Sequence, residues 1–260
     1  MPTTTTSDGA ELYYDVTGSG ETVVFVGEAG YGAWQWGWQH GKIAGPYEAL
    51  VWDLRGTGRS DAPPGPYDVD RLTRDLEAVL SAAGVRDVHL VGAGLGGMIA
   101  LRYVRAFNRA ATVTIFGAAA SGDAVNERAL RDLHAPPDDS GALENSLTGA
   151  FTGTFMAAEP GLVAQICEWR REEDADSAGF TAQADAMLKF DAGALYELTV
   201  PALVCHGLDD PVMPVEEGES LAEGLPRSEF EPVEGRRLCF IEHSVAVTDR
   251  LLAFLDEHTE

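Results

Sequence analysis

The chain has 260 residues, which suits one large domain or two small ones. Hydrophobic residues make up 45% and aromatic residues 8%, enough for a packed core and too much for intrinsic disorder. With 42 acidic and 18 basic residues, the formal net charge is −24, so the surface repels nucleic acid and anionic membranes. No apolar run approaches the ~18 residues of a spanning helix.

Strand-like and helix-like segments alternate along the chain. Predicted strands lie at residues 11–16, 22–26, 49–52, 87–91, 111–116, 201–205 and 227–233. Predicted helices lie at residues 69–83, 95–107, 215–221 and 245–255. Strands separated by helices indicate an α/β fold with a mainly parallel sheet and helices on both faces.

The alternation stops between about residues 118 and 198. This stretch has helix-like and loop-like patterns and no clear strand. We expect a helical cap at 118–198, inserted between two consecutive strands of a single domain of residues 1–260. No internal repeat or low-complexity linker divides the chain.

Charge and cysteine usage suggest an environment for the protein. The acidic residues are spread along the whole chain, and the basic residues are sixteen arginines with only Lys42 and Lys189. One interpretation is an ordinary acidic protein; we favour adaptation to high salt, which screens repulsion between carboxylates. Residues 1–9 are polar and do not resemble a secretory signal. Cys167, Cys205 and Cys239 have no ligand-like spacing, which favours buried thiols in a cytoplasmic protein.

Three segments carry motifs at the ends of predicted strands. They are DLRGTGRSD at 53–61, VGAGLGG at 91–97 and HGLDDPVMP at 206–214. In this order they resemble the α/β-hydrolase family, and the resemblance covers essentially the whole chain. It is greatest to compact-cap members such as enol-lactonases, non-haem haloperoxidases and esterases. The resemblance implies an α/β-hydrolase fold with a small helical cap.

The second motif departs from the family at the nucleophile. The family's elbow reads G-x-S-x-G, with a serine on a strained turn from strand to helix. Here the frame is Gly92-Ala93-Gly94-Leu95-Gly96, so Gly94 stands at the nucleophile position. Glycine adopts the strained backbone readily but has no oxygen to attack a carbonyl. We therefore expect no acyl-enzyme on this residue.

The catalytic acid has a counterpart and the catalytic base does not. By resemblance, Asp210 stands at the position of the family's aspartate. Counting back five residues from Glu242 puts Arg237 at the position of the histidine, whereas counting forward from Gly235 puts Leu238 there. Neither residue is a histidine, so the triad is degenerate under both alignments.

The family's usual His-Gly pair before the oxyanion loop is also changed, to Gly27-Glu28. The backbone N–H groups of Ala29 and Leu95 remain candidates for an oxyanion hole, Leu95 at a helix N-terminus. Two placements of Glu28 are open. Its carboxylate lies near the mouth of the site, or it points outward as one more surface charge.

Aromatic residues follow this loop. Trp34, Trp36 and Trp38 alternate, which predicts an extended or irregular segment, and Tyr31 comes just before them. Most of these rings are expected to pack between cap and core. We predict that Tyr31, Trp34 and Trp36 also line a largely apolar pocket, with aromatic residues of the cap as its other wall.

Other sites in the sequence are weaker. Residues 92–97 superficially match a dinucleotide-binding loop, but they follow a later strand instead of the first. His206, Asp209 and Asp210 form a poor metal-binding set. We assign structural roles to His206 and to His243, and predict no cofactor and no metal.

Two functions remain open. In the first, the protein is a pseudo-hydrolase that binds a small apolar ligand, because both the serine and the histidine are missing. In the second, it hydrolyses a small ester, lactone or related carbonyl compound with water activated by Glu28 or Asp210. A small molecule is the expected partner under both. The sequence does not determine the substrate or the oligomeric state.

Overall fold

The computed structural model describes residues 2–259, which form a sheet of eight strands. The strands are β1 (Thr3–Thr5), β2 (Glu11–Gly18), β3 (Thr22–Val26), β4 (Glu48–Trp52), β5 (Val88–Ala93), β6 (Ala110–Phe116), β7 (Ala202–Gly207) and β8 (Ser228–Val233). Their order in the sheet is β1-β2-β4-β3-β5-β6-β7-β8. β1 and β2 pair antiparallel, as do β2 and β4, and every other pair is parallel.

The α-helices connect the strands. They are α1 (Gly37–Ile43), α2 (Val69–Ala82), α3 (Leu95–Ala106), α4 (Glu127–Asp132), α5 (Ser140–Ala150), α6 (Gly153–Ala158), α7 (Pro160–Glu173), α8 (Ser177–Leu188), α9 (Val215–Gly224), α10 (Cys239–Glu242) and α11 (Ser244–Asp256). Within residues 2–259, no helix combines the length and the apolar character needed to cross a bilayer.

The central strands are apolar because helices cover them. Every residue of β3, β5 and β7 is buried, as expected for parallel strands packed on both faces. Helix α2 shows how the sequence sets an element's limits. The Asp68 side chain accepts a hydrogen bond from Arg71 N at its start, and Gly84 follows its end with φ +75°. The predicted mainly parallel α/β sheet is confirmed.

The structure corrects the prediction for the tryptophan-rich segment. It is helical instead of extended, with a 3₁₀ helix at Ala33–Trp36 followed directly by α1. The buried positions Trp36, Gln39 and Ile43 follow helical spacing. Gln39 obscured this pattern because it is polar, yet it is fully buried and its Nε2 donates to Phe240 O at 2.7 Å.

Strand β1 was not predicted either. It has only three residues, all threonine, and it pairs with β2 at the edge of the sheet. A polar segment of this length carries no period-2 pattern from which a strand could be predicted.

Helices α4 to α8 lie between β6 and β7. We call residues 118–198 the cap, the boundaries expected from the sequence. The cap lies directly on the loops that follow β3 and β4. A Cβ on Gly30 would be 2.6 Å from the Phe180 ring, and Gly56 and Gly179 contact each other through their backbones. Glycine is required at these positions because the two layers approach so closely.

Candidate functional site

The site forms where five parallel strands end at one edge of the sheet. In the register, Val26 lies opposite Gly92, and Phe116 lies between Ala93 and Cys205. The loops after β3, β5, β6, β7 and β8 therefore converge. They bring together Glu28, Gly94, Gly117, Asp210 and Arg237.

Gly94 has the backbone geometry of a sharp turn from strand to helix. Its φ is 51° and its ψ −110°, and it is the N-cap of α3 without a capping side chain. The flanking glycines are needed as well, because a Cβ on Gly92 would overlap the Gly96 backbone. A Cβ on Gly94 itself would overlap Glu28 Oε2 and Arg237 Nη2. The turn is preserved, but these two groups occupy the space beside it.

The Glu28 side chain points into the site, so the outward placement is wrong, and its carboxylate lies within the site, deeper than the mouth expected from the sequence. Its Oε1 accepts hydrogen bonds from Ala29 N at 2.6 Å and Leu95 N at 3.2 Å. The residue is 1% exposed. Leu95 N is among the first N–H groups of α3, which lack partners within the helix, so the carboxylate also lies at the positive end of the helix dipole. The two N–H groups proposed for an oxyanion hole thus converge on a side-chain oxygen of the chain itself.

Arg237 joins two carboxylates. Its Nε donates to Glu28 Oε2 at 2.6 Å, and its Nη2 lies 2.5 Å from the same oxygen. Its Nη1 donates to Asp210 Oδ2 at 2.8 Å and to Gly117 O at 2.5 Å. Burial by itself lowers the pKa of the guanidinium, but the charges of Asp210 and Glu28 outweigh burial and raise that pKa. Glu28, Arg237 and Asp210 are hereafter the ion-pair cluster.

Of the two residues considered for the base position, Arg237 faces Asp210. Leu238 is fully buried, and its backbone N donates to Ala150 O at 3.0 Å. The carboxylate of Asp210 accepts three hydrogen bonds: its Oδ1 accepts from Val212 N at 2.8 Å and Met213 N at 3.3 Å, and its Oδ2 accepts from Arg237. Each of its oxygens therefore has a partner within the protein.

His206 and His243 form no hydrogen bond with the side chains of the ion-pair cluster. His206 Nε2 donates to Met213 O at 2.9 Å and lies 3.7 Å from Asp210 Oδ2. Burial lowers the pKa of His206, which keeps the ring neutral. His243 lies at the junction of α10 and α11. Among residues 2–259, no three His, Cys, Asp or Glu side chains form a group that could hold a metal ion.

The three aromatic residues predicted for a pocket are buried packing groups. Trp36 stacks on Phe240 with ring centroids 4.8 Å apart, inside the core. Trp34 donates from Nε1 to Asp174 at 2.8 Å. Tyr31 lies beneath the Arg170 guanidinium, 4.8 Å from the ring centroid, and burial raises its pKa to about 12. Their role as a ligand pocket stays a prediction.

Two glutamines and one arginine that hold the site together were missed from the sequence. Gln35 Oε1 accepts from Glu28 N at 3.1 Å, which fixes the start of the loop. Gln183, on the cap, accepts from Gly30 N at 2.7 Å and donates to Arg55 O at 2.8 Å. In the sequence each glutamine lies between two apolar residues, and this is the signal from which a buried hydrogen-bonding role could have been predicted.

The arginine connects two helices of the cap. Arg170 is 1% exposed, and its Nη1 donates to Ser146 Oγ at 2.6 Å, which joins α7 to α5.

The first motif has a structural role. Asp53 Oδ2 accepts from Arg59 N and Arg59 Nε, both at 2.9 Å, and Ser60 Oγ donates to Asp53 O at 2.6 Å. Arg55 forms a buried ion pair with Asp75 at 2.5 Å. These contacts fold the loop after β4 on which the cap lies.

The arrangement of strands, elbow and loops can be compared with known proteins. A model of the alpha/beta hydrolase family matches residues 23–249 of the chain. The chain belongs to the alpha/beta hydrolase family. The predicted fold and the predicted family are both confirmed.

Relatives within the alpha/beta hydrolase family have diverse names. A putative carbamate hydrolase RutD from Azorhizobium caulinodans is 27% identical, over 86% of this chain and 87% of its own length. The 3-oxoadipate enol-lactonase 2 of Acinetobacter baylyi is 25% identical, over 94% of this chain and 92% of its own. The crystal structure of an enol-lactonase from Burkholderia xenovorans superposes with a TM-score of 0.86 at 24% identity, covering 98% of this chain and 100% of that one.

Proposed function

We propose that this alpha/beta hydrolase family protein is a pseudo-hydrolase without serine-dependent acyl transfer. In the family mechanism, a serine attacks the carbonyl, a histidine takes its proton and two N–H groups stabilise the resulting oxyanion. Here glycine replaces the serine, and arginine replaces the histidine.

The observation that carries the proposal is the position of the Glu28 carboxylate. Its Oε1 engages Ala29 N and Leu95 N, the donors that an oxyanion would need. A negative oxygen of the protein is therefore already present where negative charge would develop on a substrate. A substrate carbonyl would have to displace a carboxylate that is also paired with Arg237.

The alternative, hydrolysis by water activated at Glu28 or Asp210, has less support. A general base needs a free lone pair directed at the water. All four oxygens of the two carboxylates already accept hydrogen bonds, from backbone N–H groups or from Arg237.

Binding of a small apolar ligand is the second part of the proposal. The names of the relatives support a small ligand, since they refer to an enol-lactone and a carbamate. The buried aromatic residues Tyr31 and Trp34 support an apolar one. Tyr31 and Trp34 lie beneath the cap, so a ligand would reach them only after the cap moves. Phe180 and Gln183 are the cap residues that would have to leave the loop at Gly30.

Activity measurements in high salt test the proposal. The wild-type protein is assayed against short-chain nitrophenyl esters, simple lactones and carbamates, beside Glu28→Gln and Asp210→Asn. We expect all three proteins to match the rate without protein. Turnover by wild type that falls in either variant would support the activated-water alternative, and turnover that survives in both would point to a centre elsewhere.

A further inference from the structure

The donors around the Glu28 carboxylate form a binding site in their own right. Two backbone N–H groups, of Ala29 and Leu95, point at one oxygen, and the Arg237 guanidinium lies against the other. Ala29 and Leu95 are fully buried and Arg237 is 3% exposed. All of these groups donate hydrogen bonds and none accepts them, so the ligand that satisfies them is an anion.

We propose that the ion-pair cluster contains a carboxylate-binding site whose resident ligand is the Glu28 side chain, and which binds acetate when that side chain is shortened. This inference goes beyond the absence of acyl transfer and does not depend on it. It concerns the ligand class that these buried donors recognise.

The size of the ligand follows from the chemistry of glutamate. Glu28→Gly removes the β-carbon, the γ-carbon and the carboxylate, a fragment one carbon longer than acetate. The missing carbon leaves room for non-bonded contact between the acetate methyl group and the backbone, so acetate can occupy the deleted volume and engage the same donors. Propionate has one carbon more than this space holds, and interiors packed as densely as crystals tolerate such excess poorly.

The geometry also selects a carboxylate over a spherical anion. The N–H pair and the guanidinium engage different oxygens of Glu28, so both are satisfied only by an anion with two oxygens in one plane. Chloride reaches one set of donors at a time. In the wild-type protein the Glu28 carboxylate is covalently attached to the chain beside its donors, which gives it a high effective concentration. Free acetate therefore does not compete with it for these donors.

Thermal unfolding of Glu28→Gly tests the site. We expect the melting temperature to be about 5 °C higher in sodium acetate than in sodium chloride of equal concentration, at several hundred millimolar salt. The chloride reference is essential because the acidic chain responds to ionic strength in general. Formate is expected to give a smaller rise than acetate, and propionate none.

Two matched variants isolate the effect. Glu28→Gln keeps the space filled, and Glu28→Gly with Arg237→Met removes the cationic partner, so neither should distinguish acetate from chloride. If Glu28→Gly does not stay folded in chloride, the yield of refolded protein becomes the readout, and acetate should raise it several-fold. Equal melting temperatures or equal yields in the two salts overturn the proposal, as does an equal acetate response in Glu28→Gln.

Discussion

At the scale of single residues, the site couples two departures from the family pattern. By resemblance, an acidic residue, Glu28, stands at the second position of the family's His-Gly pair, and a basic residue, Arg237, stands at one of the two positions expected for the catalytic histidine. The two positions are 209 residues apart in sequence, and their side chains meet at 2.5 Å. Each buried charge is compensated by the opposite charge of the other residue. We therefore interpret the substitutions at the two positions as linked.

Removing the arginine should therefore be severe. Arg237→Met leaves Glu28 and Asp210 as uncompensated buried carboxylates, which costs about 3–5 kcal/mol of unfolding free energy. Denaturant unfolding measures the loss. Arg128→Met is the control, because its side chain is 92% exposed and lies 3.8 Å from Asp132, so no measurable change is expected. A loss no larger than in the control would show that the ion-pair cluster does not stabilise the fold.

At the scale of elements, the elbow has kept its form without its nucleophile. The turn between β5 and α3 retains φ 51° at Gly94, and the loop after β3 still directs an N–H group beside that of Leu95. The N-terminus of α3 has no capping side chain of its own. Glu28 supplies that cap from a distant loop, so the N–H groups expected to form an oxyanion hole make a structural contact with the chain itself.

Reconstitution tests this account of the elements. Gly94→Ser with Arg237→His introduces a nucleophile and a base that Asp210 can orient. With Glu28 still present we expect no hydrolysis of a nitrophenyl ester, because its carboxylate overlaps the new side chain and holds the N–H pair. Adding Glu28→Gly should produce measurable turnover. Equal activity of the double and triple variants would mean that Glu28 does not block the site, and inactivity of a folded triple variant would contradict the role of Asp210.

Much of the architecture could be predicted from local patterns. β3 was predicted with its observed bounds, and α2 to within a residue, because buried parallel strands and amphipathic helices leave clear periodicities. The tryptophan-rich helix was missed because a buried glutamine interrupts its apolar face. The inward orientation of Glu28 could not be predicted, since it depends on a partner brought near only by the folded sheet.

At the scale of the whole molecule, the main electrostatic feature is the large negative net charge. A formal charge of −24 on 260 residues makes the compact state self-repelling unless ions screen it. The internal ion pairs are sheltered from that screening because they are buried, as for Arg237 with Glu28 and Arg55 with Asp75. Salt should therefore act mainly on the surface and leave the site intact.

We predict that stability rises with salt well beyond physiological ionic strength. Weaker repulsion between surface carboxylates raises the melting temperature between low salt and molar potassium chloride. Scanning calorimetry across that range measures it. A melting temperature that stays flat or falls would contradict adaptation to high salt.

The most direct test of the central claim is covalent labelling of the intact protein. A fluorophosphonate reacts with an activated serine beside an oxyanion hole, and intact-protein mass spectrometry counts the adducts. With Gly94 at the elbow and Glu28 in the oxyanion hole, we predict no adduct on the folded wild-type protein in high salt, while an active serine esterase labels fully beside it. Stoichiometric labelling of a serine near the ion-pair cluster would contradict the account.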